Sequence, residues 1–110
     1  MNIQIFGKSK CFDTKKAERY FKERGVKYQS IDILSKGLSK GEFVSVCNAL
    51  GGFMALIDKT TKDYCMLQYL SSEDQIEKLM ETPKYYKTPI VRNGSKSTIG
   101  YSPEIWKTWE

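Results

Sequence analysis

The sequence predicts an α/β domain built on a mixed sheet, in the element order βαβ, helical insertion, ββα. Three observations predict it. A short β-prone segment with Ile3, Ile5 and Phe6 precedes a basic stretch with apolar residues at helical spacing, and an alternating segment, VKYQSIDI, follows at 26–33. From about 38 to 82 the character changes, and helix caps separate short apolar groups. Then Pro89-Ile90-Val91, Asn93-Gly94 and Ser97 to Gly100 read as strand, tight turn and returning strand ahead of a last helix.

Taken in order, Gly7 to Lys10 form a loop after the first strand. Ala17, Tyr20 and Phe21 place a helix over 14–24, with Gly25 as its C-cap. Val26 to Ile33 make a second strand, and a right-handed crossover sets it parallel to the first. Ser35 to Gly41 form a polar connector, with Ser39 capping a helix that holds Phe43, Val46, Cys47 and Leu50 and ends at Gly51-Gly52. Phe53 to Ile57 and Tyr64 to Leu70 are further helical pieces around DKTTKD. Ser71 or Ser72 caps another helix with Ile76, Leu79 and Met80, stopped by Thr82-Pro83. Ser102-Pro103-Glu104 starts the terminal helix, with Pro near its first turn and Ile105, Trp106 and Trp109 packing in the core or at its edge.

A chain of 110 residues is expected to be one domain, 1–110, with the helical piece at about 38–82 as an insertion. At 40% hydrophobic and 28% charged residues it has the composition of a globular protein rather than a disordered one. No apolar run reaches the length of a membrane span, and MNIQIFGKSK has no signal-peptide apolar region, so no membrane association and a cytoplasmic location are expected. The formal charge of +5 favours anionic ligands or acidic partners. Direct nucleic-acid binding is not expected, because the lysines are spread over several elements. Three cysteines and no histidine leave a structural zinc site short of ligands and a disulfide framework one thiol over, so reduced thiols and no metal are expected.

Cys11 falls where the first loop meets the first helix. A thiolate there meets the positive end of the helix dipole and free backbone N–H groups. Lys8, Lys10, Lys15 and Lys16 add positive potential, and Thr14 offers a hydroxyl. Such surroundings lower a thiol pKa without a histidine base, which makes Cys11 the candidate nucleophile and Lys10, Thr14 and Lys15 its stabilising groups. Its alternative, a small buried inert cysteine, fits the polar loop less well. Cys47 and Cys65 lie in helical segments beside Val46 and Met66 and read as packing. Arg92 is a fixed cation beside a turn, an anion binder or a solvated side chain; Lys59 and Lys62 with Thr60 and Thr61 form an anion-binding corner or a solvated loop. Local sequence alone reads Thr88-Pro89 as a trans proline at a strand start.

IQIFG, Cys11 with Lys15-Lys16-Ala17 in a C-x-x-x-K-K-A pattern, YQSIDI, KTPIVRNG and TIGYSPEIWKTW occur in the order and spacing of the ArsC/Spx family, which the chain resembles nearly end to end. The resemblance implies a thioredoxin-like fold in which Pro89 is cis and faces the reactive cysteine. It implies that the Cys11 thiolate attacks an oxidised centre and is regenerated by glutathione, a glutaredoxin or a thioredoxin, with no cofactor bound. With the residues above, it leaves Lys59, Thr88, Pro89 and Arg92 as the candidate substrate- or thiol-binding residues, although Arg92, four residues after Thr88, points elsewhere along the strand. Arsenate reductases of the family bind the oxyanion through three arginines; the matching positions here hold Lys59 or Thr60, Thr88 and Tyr101, so arsenate is not the expected substrate. Spx members instead regulate by binding RNA polymerase, and Gly51-Gly52 and Arg92 lie near where that branch meets its partner. Thr14, where those members carry a second cysteine, removes their internal disulfide, so a thiol resolving Cys11 comes from Cys47, Cys65 or another molecule.

Overall fold

The computed structural model describes residues 1–109. β1 (Ile3–Gly7) enters the centre of a four-stranded sheet of order β2-β1-β3-β4. α1 (Phe12–Glu23) crosses back so that β2 (Tyr28–Asp32) pairs parallel with β1, Ile5 opposite Ser30. β3 (Ile90–Asn93) runs antiparallel on the other side of β1, and β4 (Lys96–Ile99) antiparallel to β3. This is the mixed sheet the sequence predicts.

The period of two along each strand divides the interior between the two faces of the sheet. Ile3, Ile5 and Val91 join Ala17, Tyr20 and Phe21 of α1 and Trp106, whose Nε1–H donates to Thr98 Oγ1 at 2.8 Å. Phe6 and Ile90 face the opposite cluster, supplied by the insertion: Phe43, Val46, Leu56, Leu67 and Leu79 among others. The insertion comprises α3 (Lys40–Leu50), a 3-10 turn at Met54–Leu56, one helical turn α4 (Tyr64–Leu67) and α5 (Ser72–Glu81), preceded by a turn, α2 (Ile33–Lys36). The C-terminal segment is α6 (Pro103–Trp106), continued as a 3-10 turn over Lys107–Trp109.

Local chemistry accounts for most boundaries. Ser39 and Glu42 form a reciprocal capping box on α3, and Ser71 Oγ accepts from Asp74 N at 3.2 Å to start α5. Several boundaries correct the sequence expectation. The second strand stops at Asp32, because its carboxylate accepts the Leu34 N–H at 3.1 Å and the Ser35 hydroxyl at 3.0 Å, winding Ile33–Lys36 into a helical turn where a strand end and a polar connector were expected. The helical pieces at 53–57 and 64–70 shrink to single turns; the Leu67 carbonyl turns to accept Gln75 Nε2 at 2.8 Å. The hairpin turns on Gly94-Ser95 rather than Asn93-Gly94, since Asn93 pairs with Lys96 and Gly94 adopts φ +62°. No helix among the described residues is long and apolar enough to cross a membrane.

Candidate active site

Cys11 is the N-cap of α1, with an extended backbone (φ −88°, ψ 117°), where Ser, Thr or Asp usually stands. Its N–H donates to Lys8 O at 3.0 Å in the tight loop after β1. Sγ lies 3.6 Å from the Thr88 carbonyl, across a sequence separation of 77. The Thr88-Pro89 bond is cis, as the family resemblance implied and local sequence did not. Pro89 O accepts the Gly100 N–H at 2.9 Å, which ties the segment to the end of β4.

Partial burial acts to raise the Cys11 pKa. It is outweighed by donors to the sulfur, first the Thr14 hydroxyl, then Thr88, then the backbone N–H groups of Thr14 and Asp13, and the thiol ends below its ordinary value. Those two amides are among the free N–H groups at the start of α1, so the sulfur receives part of what a capping oxygen would. Thr14 and Thr88 are themselves buried, which holds their donors in place. Thr14 Oγ1 accepts the Lys8 N–H at 3.4 Å, leaving its own proton to point at sulfur.

Two positioning residues escaped the sequence reading in this capacity. A Cβ on Gly7 would overlap Thr14 Cγ2 and stand 2.7 Å from Oγ1, so only glycine admits Thr14 at its post. Lys8 was expected to act through its charge; instead its ammonium donates to Lys84 O at 2.9 Å and Tyr86 O at 2.8 Å, stapling the cysteine loop to the chain that leads into Thr88. These contacts join residues more than seventy positions apart and leave no mark in local sequence.

Of the sequence candidates, Cys11, Thr14, Thr88 and Pro89 come together. Lys10 is exposed in the loop, and Lys15 lines a cavity of about 270 Å³ with Glu18, Ser30 and Asp32, whose wall also includes Gly7, Lys8 and Thr14; hydrogen-bond donors rather than the Lys10 and Lys15 ammonium groups hold the thiol down. Lys59 lines a cleft of about 340 Å³ with Asp58, Thr60 and Lys87, and Cys11 is not among that cleft's described lining residues. Arg92 is corrected. It stands two residues after Ile90, on the insertion face of the sheet, and donates to Gln4 Oε1 at 2.8 Å and Ser45 Oγ at 3.3 Å, with Glu42 at 3.9 Å. It fastens α3 to the sheet and does not reach the cysteine.

All three cysteines are free. Burial pushes the Cys47 thiol up, and Cys47 in turn adds to the burial that raises the Tyr86 hydroxyl. Cys65 is exposed on α4.

A cysteine with a lowered pKa at a helix start, beside a cis-proline segment on a mixed sheet, is the arrangement of a thioredoxin-like fold. The ArsC family profile matches residues 6–109, and the chain belongs to that family. The protein named global transcriptional regulator Spx 2 from Oceanobacillus iheyensis is 28% identical over a match covering 92% of this chain and 78% of that protein. An arsenate reductase from Vibrio cholerae superposes with a TM-score of 0.83 at 23% identity, covering 96% of this chain and 94% of its own. A putative ArsC family related protein from Bacteroides fragilis gives 0.85 at 20% identity over the whole of both chains. These two structures share the fold.

Proposed function

We propose that the protein is a thiol oxidoreductase in which the Cys11 thiolate attacks a sulfur of a disulfide substrate. The single observation that carries the reading is the placement of Cys11 at the start of α1 with its sulfur 3.6 Å from the Thr88 carbonyl, an arrangement that lowers the thiol pKa. In the step, Cys11 Sγ forms a new S–S bond as the substrate's own S–S bond breaks, and the departing sulfur leaves as a thiolate that takes a proton from solvent. A second thiol, glutathione or the thiol of a glutaredoxin or thioredoxin, then attacks the mixed disulfide. Cys11 returns as thiolate, and the donor leaves oxidised as a disulfide. Cys11, Thr14 and Thr88 carry this chemistry, with Pro89 shaping the wall opposite the sulfur. Arsenate is a poor candidate, because a bidentate guanidinium that would grip the oxyanion is missing from the described residues around Cys11, where Thr88 precedes the proline and Arg92 is engaged with α3.

The test is turnover of a glutathionylated peptide and of arsenate, each with glutathione, glutaredoxin or thioredoxin as donor, beside the pH profile of Cys11 alkylation. Turnover of the mixed disulfide that vanishes in Cys11→Ser is the expected result. A thiol that titrates like a free cysteine and turns over neither substrate with any donor removes the reading.

The sequence relative favours one second reading, a transcriptional regulator, for which the resemblance to Spx members implies RNA polymerase as the partner. Thr14 occupies the place of a second cysteine, so an internal C-x-x-C switch is not available to such a regulator. Co-migration with purified RNA polymerase on gel filtration is what this reading requires, and separate elution eliminates it.

A further inference from the structure

Phe12, Lys16, Arg19 and Glu23 succeed one another at four, three and four residues along α1 and so form a single stripe. Phe12 holds the first helical position, directly after Cys11, and is 78% exposed. An isolated exposed phenyl is ordinary, but this one lies one helical turn before Lys16, the first residue of α1 to line a cleft. One turn further on, Lys16 Nζ is 5.7 Å from the ring of Tyr101, itself 45% exposed. Lys16, Arg19, Tyr101 and Lys107 line a cleft of about 530 Å³ between α1 and the C-terminal helical segment. Arg24 adds a fourth cation, stacked 3.8 Å over the Tyr20 ring. Glu23 is the one carboxylate among the described lining residues, and Arg19 holds it at 3.8 Å in an exposed pair. The stripe therefore begins with an aromatic ring one residue after Cys11 and continues into a cleft whose wall is aromatic at Tyr101 and mostly cationic along α1.

We propose that this cleft docks an acidic polypeptide that carries the disulfide attacked by Cys11, with Phe12 and Tyr101 taking apolar side chains beside the reacting sulfur and Lys16, Arg19 and Lys107 taking carboxylates further along. The inference deepens the disulfide-exchange reading and rests on it. Length favours a polypeptide over a small thiol compound. From Phe12 to Glu23 the stripe runs about 16 Å at ~1.5 Å per residue, which an extended chain of about five residues spans. Charge favours acid: Lys16, Arg19 and Lys107 outnumber Glu23, the one carboxylate among the described lining residues, and attract a chain bearing Asp or Glu, an attraction that weakens as salt screens it.

The experiment compares wild type with Arg19→Glu/Lys107→Glu on three substrates, with glutathione as donor. They are a cysteine peptide with flanking glutamates blocked as its mercaptoethanol mixed disulfide, the same peptide with glutamines, and hydroxyethyl disulfide. Wild type is expected to prefer the acidic peptide about tenfold in kcat/KM at low ionic strength. The double variant and high salt are both expected to abolish that preference while hydroxyethyl disulfide turnover stays the same. If wild type turns over hydroxyethyl disulfide and treats the two peptides alike, the docking proposal is overturned and the exchange reading stands. If no disulfide is turned over, the exchange reading fails, and fluorescence anisotropy of the reduced acidic peptide with Cys11→Ser protein decides the docking. Binding that the charge reversals remove supports the cleft, and no binding overturns it.

Discussion

Replacing Thr14 with Val keeps the side-chain shape and deletes the one hydroxyl placed to serve both Lys8 and Cys11. Thr14 Oγ1 accepts from the Lys8 N–H at 3.4 Å and donates to the sulfur, where it is the first of the donors that lower the thiol. A hydrogen bond to an ionised acceptor contributes about 1.5–3 kcal/mol. Cys11 is only partly buried and sulfur is a diffuse acceptor, so screening by solvent brings the loss to about 1 kcal/mol. That corresponds to about a fivefold smaller thiolate fraction at any pH below the titration. The second-order rate of iodoacetamide with Cys11, followed by mass spectrometry against pH in a Cys47→Ala/Cys65→Ser background, reads this directly. The midpoint moves up toward the ordinary thiol value, the low-pH limb falls about fivefold, and Thr14→Ser, which keeps the donor, restores both. Thr14→Val also strands the Lys8 N–H, so the variant loses about 1 kcal/mol of stability, measured by urea unfolding. A folded Thr14→Val protein whose midpoint matches the parent refutes the assignment of the lowering to this hydroxyl.

Four further outcomes follow from the same geometry. Gly7→Ala drives a methyl into Thr14, so it moves the Cys11 midpoint in the same direction as Thr14→Val and costs about 1–3 kcal/mol in urea unfolding; a neutral effect on both measurements removes Gly7 from the positioning of the site. The folded Cys11 pKa lies below the ordinary value of 9.0, so its thiolate stabilises the fold above that pH and the contribution is lost as pH falls through the lowered folded pKa. Denaturation at a series of pH values should therefore show wild type gaining on Cys11→Ala as pH rises through that window, and a constant difference counts against the shift. Since burial raises Cys47, limited alkylation of Cys65→Ser protein at neutral pH places the first label on Cys11, and peptide mapping that finds Cys47 labelled first contradicts the two directions. Arg92→Ala leaves the Cys11 alkylation profile in place and weakens the fold by about 1–3 kcal/mol as Gln4, Ser45 and Glu42 lose their cation; a moved profile would put Arg92 back at the site.

What the sequence disclosed was what local chemistry decides. The Ser39–Glu42 box, the Ser71 cap and the alternation of Ile3 and Ile5 act within a few residues and can be read in place. The turn at Ile33–Lys36 could not, because VKYQSIDI alternates through Ile33 and the strand is broken by the bonds that the Asp32 carboxylate accepts from Leu34 N–H and the Ser35 hydroxyl. The position of Cys11 at a helix start was equally legible. The cause of its low pKa was legible in part: the Thr14 hydroxyl and the free amides of the helix start could be read in place, the conspicuous lysine charges do not contribute, and a hydroxyl buried 77 residues away at Thr88 left no local sign. Arg92 failed as a site residue for a reason that alternation contains. It shares a face with Ile90 and Phe6, and that face belongs to the insertion once β3 is known to pair with β1.

Thr88 has a property that bears on rate as well as on pKa. Its carbonyl stands 3.6 Å from Sγ, within reach of an S–H donor, and its hydroxyl is among the donors that favour the ionised form. One residue therefore offers an acceptor to the thiol and a donor to the thiolate, and ionisation of Cys11 needs little more than the rotation of an O–H bond. Donors fixed in advance around developing or vanishing charge spare the site the reorganisation that water would require. In the proposed disulfide exchange the sulfur of Cys11 would give up its negative charge on attack and recover it when the donor thiol displaces it, so the same group would be solvated by the protein at both ends of the cycle. A histidine base would serve only the proton; here Thr14, Thr88 and the first amides of α1 serve the charge itself, which is why the proposed chemistry needs no histidine.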